Sequence, residues 1–476
     1  MRHFLLPAIC ACFFLCSSPL SAQSFYFGAD LSYVNEMEDC GVVYQENGQP
    51  KAPYQIFADH GCNLVRLRLW HTPDWYDSLN GGQRYSDLAD VKRSLQKAKA
   101  AGMSTLLDFH LSDTWADPSR QLAPAAWLDV VDNLPVLQDS LYHYIYNTLM
   151  ALDEENLLPE MVQVGNETNR GILLSPEVNN SGWVLDWARN SQLFNTAIQA
   201  IRDVESATDT PIRIALHIAG PADATWYFNQ FIEHGVTDFD IMGISYYWAW
   251  HKPTSIAQTA QIIAGLRGAH PGYDVMIFET AYPWTLDAND SAANIINEVH
   301  PDYLPVSPEN QEQWLVDLTQ AVISSGGKGV IYWEPAWVSS SCYTLWGQGS
   351  HQEHATFFDF ESNLLNNGGV GFMSYPYLFP TASNELPLQG MLKIFATAGY
   401  DSLIVQWDGP TPSGTLTLEL FDSGGSNVLA QSILLSEAPS QQYSIPLPQL
   451  PEGIYFAVAS LEGKTAGRAS VWLGRQ

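Results

Sequence analysis

The sequence of 476 residues predicts an α/β fold, a (β/α)8 or TIM barrel followed by a small all-β domain. Eight short β-rich runs lie between residue 25 and about residue 335, and segments of helical character separate them. Polar side chains stand at the ends of these runs, where active sites gather in such barrels. From about residue 386 the pattern changes to alternating apolar runs that Pro and Gly turns interrupt.

The eight predicted barrel strands are residues 26–30, 63–69, 104–110, 161–165, 212–218, 240–246, 274–278 and 329–333. Helix-like segments between them end at glycine, the usual residue past a helix C-terminus, as residues 88–101 do before Gly102. Residues 314–325 before Gly326 follow the same pattern. Eight strand–helix units in this length favour a closed barrel over an open sheet.

The predicted domain boundaries place a signal peptide at residues 1–22, the barrel domain at 23–377, a linker at 378–388 and a β-sandwich at 389–476. The sandwich is predicted from runs at 403–407, 416–421, 428–435 and 453–459. No catalytic grouping is evident in that last domain.

The N-terminus has the three parts of a signal peptide: a basic start at Arg2, an apolar run over residues 4–15, and small residues up to Ala22. Cleavage near Ala22 predicts a secreted or cell-surface protein. The run is too short to span a bilayer, and no later stretch is apolar enough for a transmembrane segment. Lipidation of Cys16 is the alternative, although Phe14 and Leu15 make a poor lipidation motif.

Cleavage would leave three cysteines, Cys40, Cys62 and Cys342. An odd number leaves at least one free thiol. A Cys40–Cys62 bridge in an oxidising compartment and three buried thiols both remain open. No Cys or His spacing indicates zinc.

The charge balance limits the partners. Lys plus Arg number 21 against 51 Asp plus Glu, a net charge of −30. Such a surface repels nucleic acid and anionic lipid, so we expect a neutral substrate and no nucleic-acid partner. The 16 Trp, 22 Tyr and 20 Phe suit stacking on sugar rings, but a large aromatic core would use them equally well. We expect a monomer.

Two glutamates stand directly after predicted strands. Glu167 follows the fourth run and Asn166, and Glu279 follows the seventh run. In a barrel the two strands lie on opposite sides of the mouth. Glycoside hydrolysis commonly needs two carboxyl groups that flank the scissile bond, and retaining enzymes hold them about 5–5.5 Å apart. The pair therefore predicts a retaining glycosidase.

Several motifs resemble glycoside hydrolase family 53, the endo-β-1,4-galactanases of clan A. They cover roughly residues 25–370 and are Val164-Gly165-Asn166-Glu167, Phe278-Glu279-Thr280-Ala281-Tyr282-Pro283 and the segments 28–34, 63–70, 107–110, 113–118 and 244–247. The resemblance implies a (β/α)8 barrel that hydrolyses internal β-1,4-galactosidic bonds of galactan, the side chain of pectin and type I arabinogalactan. It also implies Glu167 as acid/base and Glu279 as nucleophile.

Each role has a physical requirement. The pKa of Glu167 must be raised so that it carries a proton, and Glu279 must stay ionised, which requires donors. Arg66 or Arg68 and the hydroxyl of Tyr247 are the predicted donors. Arg66 matches the clan arginine better, and one of the two arginines could instead pair with a structural acid.

Further predicted substrate-binding residues surround the two glutamates. Asn166 is placed to donate to the sugar 2-hydroxyl. His110 and His217 are candidate hydrogen-bond donors around the acid/base, with a buried structural role as the alternative for each. Trp333 is predicted to form the floor under the sugar, and other candidates for stacking, or for core and rim, are Trp115, Trp248, Trp250, Trp284 and Trp337.

Two further expectations come from resemblance. Family members often carry structural calcium in the loop after the eighth strand, but here residues 339–354 hold one carboxylate, Glu353, so we expect no cofactor and keep calcium as the alternative. The last 50 or so residues resemble C-terminal sorting domains of type IX secretion, with a carbohydrate-binding or spacer sandwich as the rival. Competing functions are another clan A glycanase, such as a mannanase or cellulase, and a non-catalytic galactan-binding surface protein.

Overall fold

The computed structural model describes residues 25–181, 185–379, 391–397, 401–411, 413–422, 426–435, 438–451, 453–461 and 464–473. The predicted signal peptide and most of the predicted linker lie outside these residues. The chain divides into two compact units, Met1–Tyr377 and Leu378–Gln476.

Eight parallel strands form a closed barrel in the first unit, as predicted. In chain order they are β1 Tyr26–Asp30, β2 Leu64–Leu69, β3 Ser104–Phe109, β4 Met161–Val164, β5 Arg213–Ala219, β6 Ile241–Ser245, β7 Asp274–Glu279 and β8 Gly329–Tyr332. Each strand pairs with its sequence neighbours, and β1 also pairs with β8, which closes the barrel. Every strand end lies within one residue of its predicted position.

The described α-helices include those that connect the strands and short ones in the loops. They are α1 Val34–Asp39, α2 Pro53–Asp59, α3 Leu88–Ala100, α4 Leu134–Asp153, α5 Pro176–Asn179, α6 Trp187–Thr208, α7 Ala224–Glu233, α8 Trp248–His251, α9 Ile256–Ala269 and α10 Pro308–Ser324. Helix α10 begins earlier than predicted because the Ser307 side chain caps its N-terminus and Pro308 occupies the first turn.

The interior of the barrel changes character along the strands. At its N-terminal end the inward side chains are apolar and form one buried cluster: Leu64, Leu106, Met161, Ala215, Ile241, Met276, Phe278 and Ile331. Two residues further along four of these strands, the inward positions hold Arg66, Asp108, Gln163 and His217, all buried. Because every second side chain of a strand points inward, the barrel interior is apolar at its N-terminal end and polar at its C-terminal end.

The second unit consists of antiparallel strands. They are β9 Met391–Ala396, β10 Ser402–Thr411, β11 Gly414–Phe421, β12 Asn427–Leu435, β13 Ala438–Pro446, β14 Gly453–Leu461 and β15 Lys464–Leu473. One sheet has the order β9-β10-β13 and the other β12-β11-β14-β15. Leu403 and Val405 of the first sheet share one buried cluster with Leu418 and Ala459 of the second, so the two sheets pack face to face.

Both alternatives predicted for the cysteines, a Cys40–Cys62 bridge and three buried thiols, were wrong. Cys40 forms a disulfide with Cys342, and Cys62 is the free, buried thiol. Cys40 directly follows α1, in the connection after β1, whereas Cys342 lies in the loop after β8. Because β1 and β8 are neighbours in the closed barrel, residues 302 positions apart meet there.

Among the described residues, no helix combines the length and the apolar character that crossing a bilayer requires.

Candidate active site

The C-terminal ends of the strands open into a cleft of about 330 Å³. Both predicted carboxyl groups, Asn166, Tyr247 and Trp333 line it. The full lining is Trp115, Ala116, Asp117, Arg120, Asn166, Glu167, Tyr247, Trp250, Glu279, Ile295, Trp333, Trp337, Trp346 and His351.

Arg66 is the centre of the polar layer beneath this cleft. Its guanidinium pairs with three carboxylates: Asp30 at 2.9 Å, Asp108 at 2.7 Å and Glu279 at 2.8 Å. It also donates to Asn166 Oδ1 at 2.7 Å. Only 1% of the side chain is exposed, so these contacts occur in a low dielectric and fix the guanidinium in place.

Glu279 ends β7 and holds its carboxyl group between two donors. Arg66 Nη1 contacts one oxygen, and the Tyr247 hydroxyl donates to the other at 3.0 Å. Burial raises the pKa of Glu279 to about 7, while the charge of Arg66 and the Tyr247 hydrogen bond lower it. The predicted donor roles of Arg66 and Tyr247 thus fit the contacts that the structure shows.

Glu167 faces the same cleft without such donors. Burial and, after it, the negative charge of Glu279 together raise the pKa of Glu167 to about 8. The Ser245 hydroxyl is the main group that opposes the shift. Since Arg66 and Tyr247 stabilise the ionised form of Glu279, a single proton shared by the two carboxyl groups belongs on Glu167.

The turn after β4 is what brings Glu167 into the cleft. Gly165 has a φ of +74°, and a Cβ there would lie 2.5 Å from the Thr168 side chain, so glycine is required. Glu167 itself has a φ of +44°, which costs a non-glycine residue free energy. Gln121 stabilises the turn by donating to the carbonyls of Asn166 at 2.7 Å and of Glu167 at 3.2 Å.

Asn166 and His217 form a network next to the acid/base candidate. Asn166 Nδ2 donates to the carbonyl of Ala116 at 2.8 Å, which fixes the amide plane. The ring nitrogens of His217 lie 2.9 Å from Asn166 Oδ1 and 2.9 Å from Ser245 Oγ. Burial lowers the pKa of His217 well below its usual value, so the ring is neutral. His217 Nδ1 also lies 3.4 Å from the backbone N of Glu167, so the ring contacts the main chain of that residue, while Ser245 links it to the carboxyl group.

His110 occupies a more remote position than predicted. Its Nε2 lies 3.0 Å from Asp108, and its Nδ1 accepts the N–H of Ala116 at 3.2 Å. The ring is 2% exposed and does not line the cleft. Both nitrogens have protein partners, so His110 supports the Arg66 cluster rather than donating to the acid/base.

Aromatic rings form the walls of the cleft. Trp115 lies 5.8 Å from Trp333, and Trp333 lies 6.1 Å from Trp337, measured between ring centroids. Trp250 is half exposed at the rim. Of the other stacking candidates, Trp248 and Trp284 do not line the cleft, whereas Trp346, which sequence reasoning missed, does.

The second arginine of β2 has a separate partner. Arg68 pairs with Glu334 at 3.1 Å, and both side chains are about 1% exposed. Arg68 is therefore the arginine of β2 that pairs with a structural acid, the alternative stated above for one of Arg66 and Arg68. Sequence reasoning missed Glu334, because it follows Trp333 in what reads as an ordinary loop.

The loops after β7 and β8 meet at Glu353. Its Oε1 accepts the N–H of Asn289 at 2.7 Å and that of Asp290 at 3.4 Å, and its other oxygen accepts from Ser339. Within the described residues, no group of three or more His, Cys, Asp or Glu side chains is arranged to hold a metal ion. The donors around Glu353 are N–H and O–H groups, which satisfy a carboxylate directly.

Comparison with known proteins links this arrangement to characterised enzymes. Residues 26–368 match the model of glycosyl hydrolase family 53. The chain is 50% identical over 353 residues to the arabinogalactan endo-β-1,4-galactanase of Cellvibrio japonicus, a match that covers 74% of this chain and 90% of that protein. It is 33% identical over 325 residues to the endo-β-1,4-galactanase of Bacillus subtilis, covering 66% of this chain and 71% of that protein.

Solved structures show the same relationship. The family 53 catalytic domain of Ignisphaera aggregans superposes with a TM-score of 0.66 at 32% identity, over 76% of this chain and 98% of that domain. A structure of fungal β-1,4-galactanases superposes with a TM-score of 0.60 at 28% identity, over 73% of this chain and 98% of that one.

Proposed function

The chain belongs to glycosyl hydrolase family 53, and from this premise we propose that it is a retaining endo-glycosidase that cuts internal β-1,4-galactosidic bonds of galactan and type I arabinogalactan. The observation that carries the proposal is the unequal environment of two carboxyl groups in one cleft. Glu279 has a guanidinium and a phenol as donors, and Glu167 has neither.

In the first step, protonated Glu167 gives its proton to the glycosidic oxygen as the bond to the anomeric carbon breaks. The carboxylate of Glu279 attacks that carbon from the opposite face and forms a covalent glycosyl ester. Arg66 and Tyr247 hold the attacking carboxylate in one orientation, so little reorganisation accompanies the reaction.

In the second step, water displaces the Glu279 carboxylate from the anomeric carbon. Esterification removes the negative charge of Glu279, which was one of the causes of the raised pKa of Glu167. Glu167, now ionised, can take a proton from the attacking water. The ester bond breaks, Glu279 leaves as a carboxylate, and the sugar regains its original anomeric configuration.

The cleft suits a neutral polysaccharide. Its aromatic walls offer apolar faces to sugar rings, and the acidic surface of the chain disfavours a polyanion. The Asn166 side-chain NH2 group donates one hydrogen to the carbonyl of Ala116. Its second hydrogen is then available to the 2-hydroxyl of the sugar at the cleavage point. That contact strengthens in the transition state.

We propose that the protein acts as a monomer outside the cytoplasm, secreted or on the cell surface. The N-terminal pattern up to Ala22 supports export, and the Cys40–Cys342 disulfide suits an oxidising compartment.

Digestion of linear β-1,4-galactan tests the proposal, with mannan and cellulose as parallel substrates. Short galacto-oligosaccharides from internal cuts are expected, and the other polymers should stay intact. Glu167→Gln and Glu279→Gln should abolish hydrolysis while galactan binding persists, whereas the exposed Glu361→Gln should match the parent protein. Intact galactan would overturn the substrate assignment, and cleavage of mannan or cellulose would favour another clan activity.

A further inference from the structure

Arg68 lies beneath the aromatic wall of the cleft. Its guanidinium carbon is 4.6 Å from the ring centroid of Tyr33, 4.4 Å from that of Trp70 and 4.1 Å from that of Trp115. The side chain is buried, and a cation that is held against aromatic faces away from water is strongly attracted to them. Among these rings, Trp115 also lines the cleft.

Glu334 holds Arg68 in this place. Its Oε1 accepts from Arg68 Nη1 at 3.1 Å, and its Oε2 accepts the N–H of Tyr33 at 3.3 Å. Both oxygens therefore face N–H donors, and these donors together with the charge of Arg68 oppose the rise in the pKa of Glu334 that burial and Asp30 cause. Glu334 has a φ of +49° and is fully buried, so the surrounding structure maintains an unfavourable backbone conformation at this residue.

Arg68 and Glu334 are connected to three of the tryptophans that line the cleft, Trp115, Trp333 and Trp337. Trp115 packs on the guanidinium of Arg68, and Trp333 is the residue before Glu334. Trp337 donates its backbone N–H to the carbonyl of Glu334 at 3.2 Å and stacks on Tyr33 at 3.9 Å between centroids. One buried ion pair thus fixes rings that come from the loops after β1, β3 and β8.

We propose that Arg68 and Glu334 are positioning residues that hold Trp115, Trp333 and Trp337 as a rigid stacking platform for the substrate. The inference rests on the proposed function and deepens it. The two arginines of β2 then have different tasks, since Arg66 contacts the nucleophile and Arg68 acts through the tryptophans.

The test removes both charges together, because one buried charge left alone would itself unfold a protein. The variant Arg68→Met with Glu334→Gln leaves an acceptor for Tyr33. Its KM for galactan should rise about tenfold while kcat changes less than about threefold. Arg84→Met, which removes an exposed arginine paired with Asp77, is the control and should change neither constant. Arg68→Lys keeps the buried charge but lacks the flat guanidinium, and it should give an intermediate KM.

A mutant cycle separates positioning from general stabilisation. In a Trp115→Ala background, the paired substitution should raise KM clearly less than in the parent protein, because the ring that packs directly on Arg68 is already gone. If the paired substitution and Trp115→Ala each raise KM by the same factor alone and in combination, the two act independently and the proposal is overturned.

A spectroscopic measurement makes the test independent of the substrate. Near-UV circular dichroism of the folded protein should lose tryptophan signal in the paired variant and in Arg68→Lys, and keep it in Arg84→Met. Unchanged spectra would overturn the positioning role. Failure of the parent protein to cut galactan would instead overturn the proposed function, and the spectra would still decide the role of the pair.

Discussion

Arg66 Nη1 lies 2.8 Å from Glu279 Oε1, and the same guanidinium donates to Asn166 at 2.7 Å. One buried cation therefore links the proposed nucleophile on β7 to the residue that precedes the proposed acid/base after β4. The relative position of the two carboxyl groups thus depends on a side chain from a third strand, β2.

Tyr247→Phe tests the second donor to Glu279. Loss of a hydrogen bond to a charged group costs about 1.5–3 kcal/mol, so kcat should fall by about 10- to 100-fold. The carboxylate form of Glu279 also loses stabilisation, which raises its pKa and moves the acid limb of the kcat/KM profile to higher pH. Steady-state kinetics across pH measure both effects. Tyr146→Phe, which lies outside the cleft, is the control.

The pH dependence follows from the order of the two ionisations. Activity requires Glu279 ionised and Glu167 protonated, so kcat/KM should rise as pH passes the pKa of Glu279 and fall as it passes the higher pKa of Glu167. In Glu167→Gln the alkaline limb should disappear on an aryl galactobioside whose leaving group needs no proton. An alkaline limb that survives would assign it to another group.

Gly165→Ala should distort the catalytic turn. Its φ of +74° and the 2.5 Å approach of an added Cβ to Thr168 force the backbone before Asn166 to move. We expect kcat to fall at least about 100-fold, as for small misplacements of catalytic groups. Gly235→Ala has a similar φ of +82° with open space around its Cβ, so it reports the backbone cost alone and should keep most activity.

The placement of Glu167 and Glu279 in one cleft could be predicted because a strand-end Glu after Asn on β4 and a second Glu on β7 are local patterns. Asp108 was missed as a partner of Arg66, since it lies within a strand and its contact depends on the register between β2 and β3. Strands β9, β13 and β15 were missed. The polar β13 and the first half of β15 lack apolar alternation, and strand pairing overrides that preference.

The disulfide could not be predicted because its two cysteines meet only through closure of the barrel between β1 and β8, and it gives a stability test. Cys342→Ser should lower the free energy of unfolding by about 2–4 kcal/mol, since the bridge closes a very long loop. Thermal unfolding measures the change, and the parent protein in reductant should behave like the variant. A Tm that neither treatment lowers would contradict this expectation.

The proposed mechanism has Glu279 attack the anomeric carbon while Glu167 supplies and then removes a proton. Proton NMR of the first products from a galacto-oligosaccharide measures the anomeric configuration before mutarotation. The β-anomer of the new reducing end should appear first, because two inversions restore the configuration. Initial release of the α-anomer would mean a single displacement by water and would rule out a covalent intermediate on Glu279.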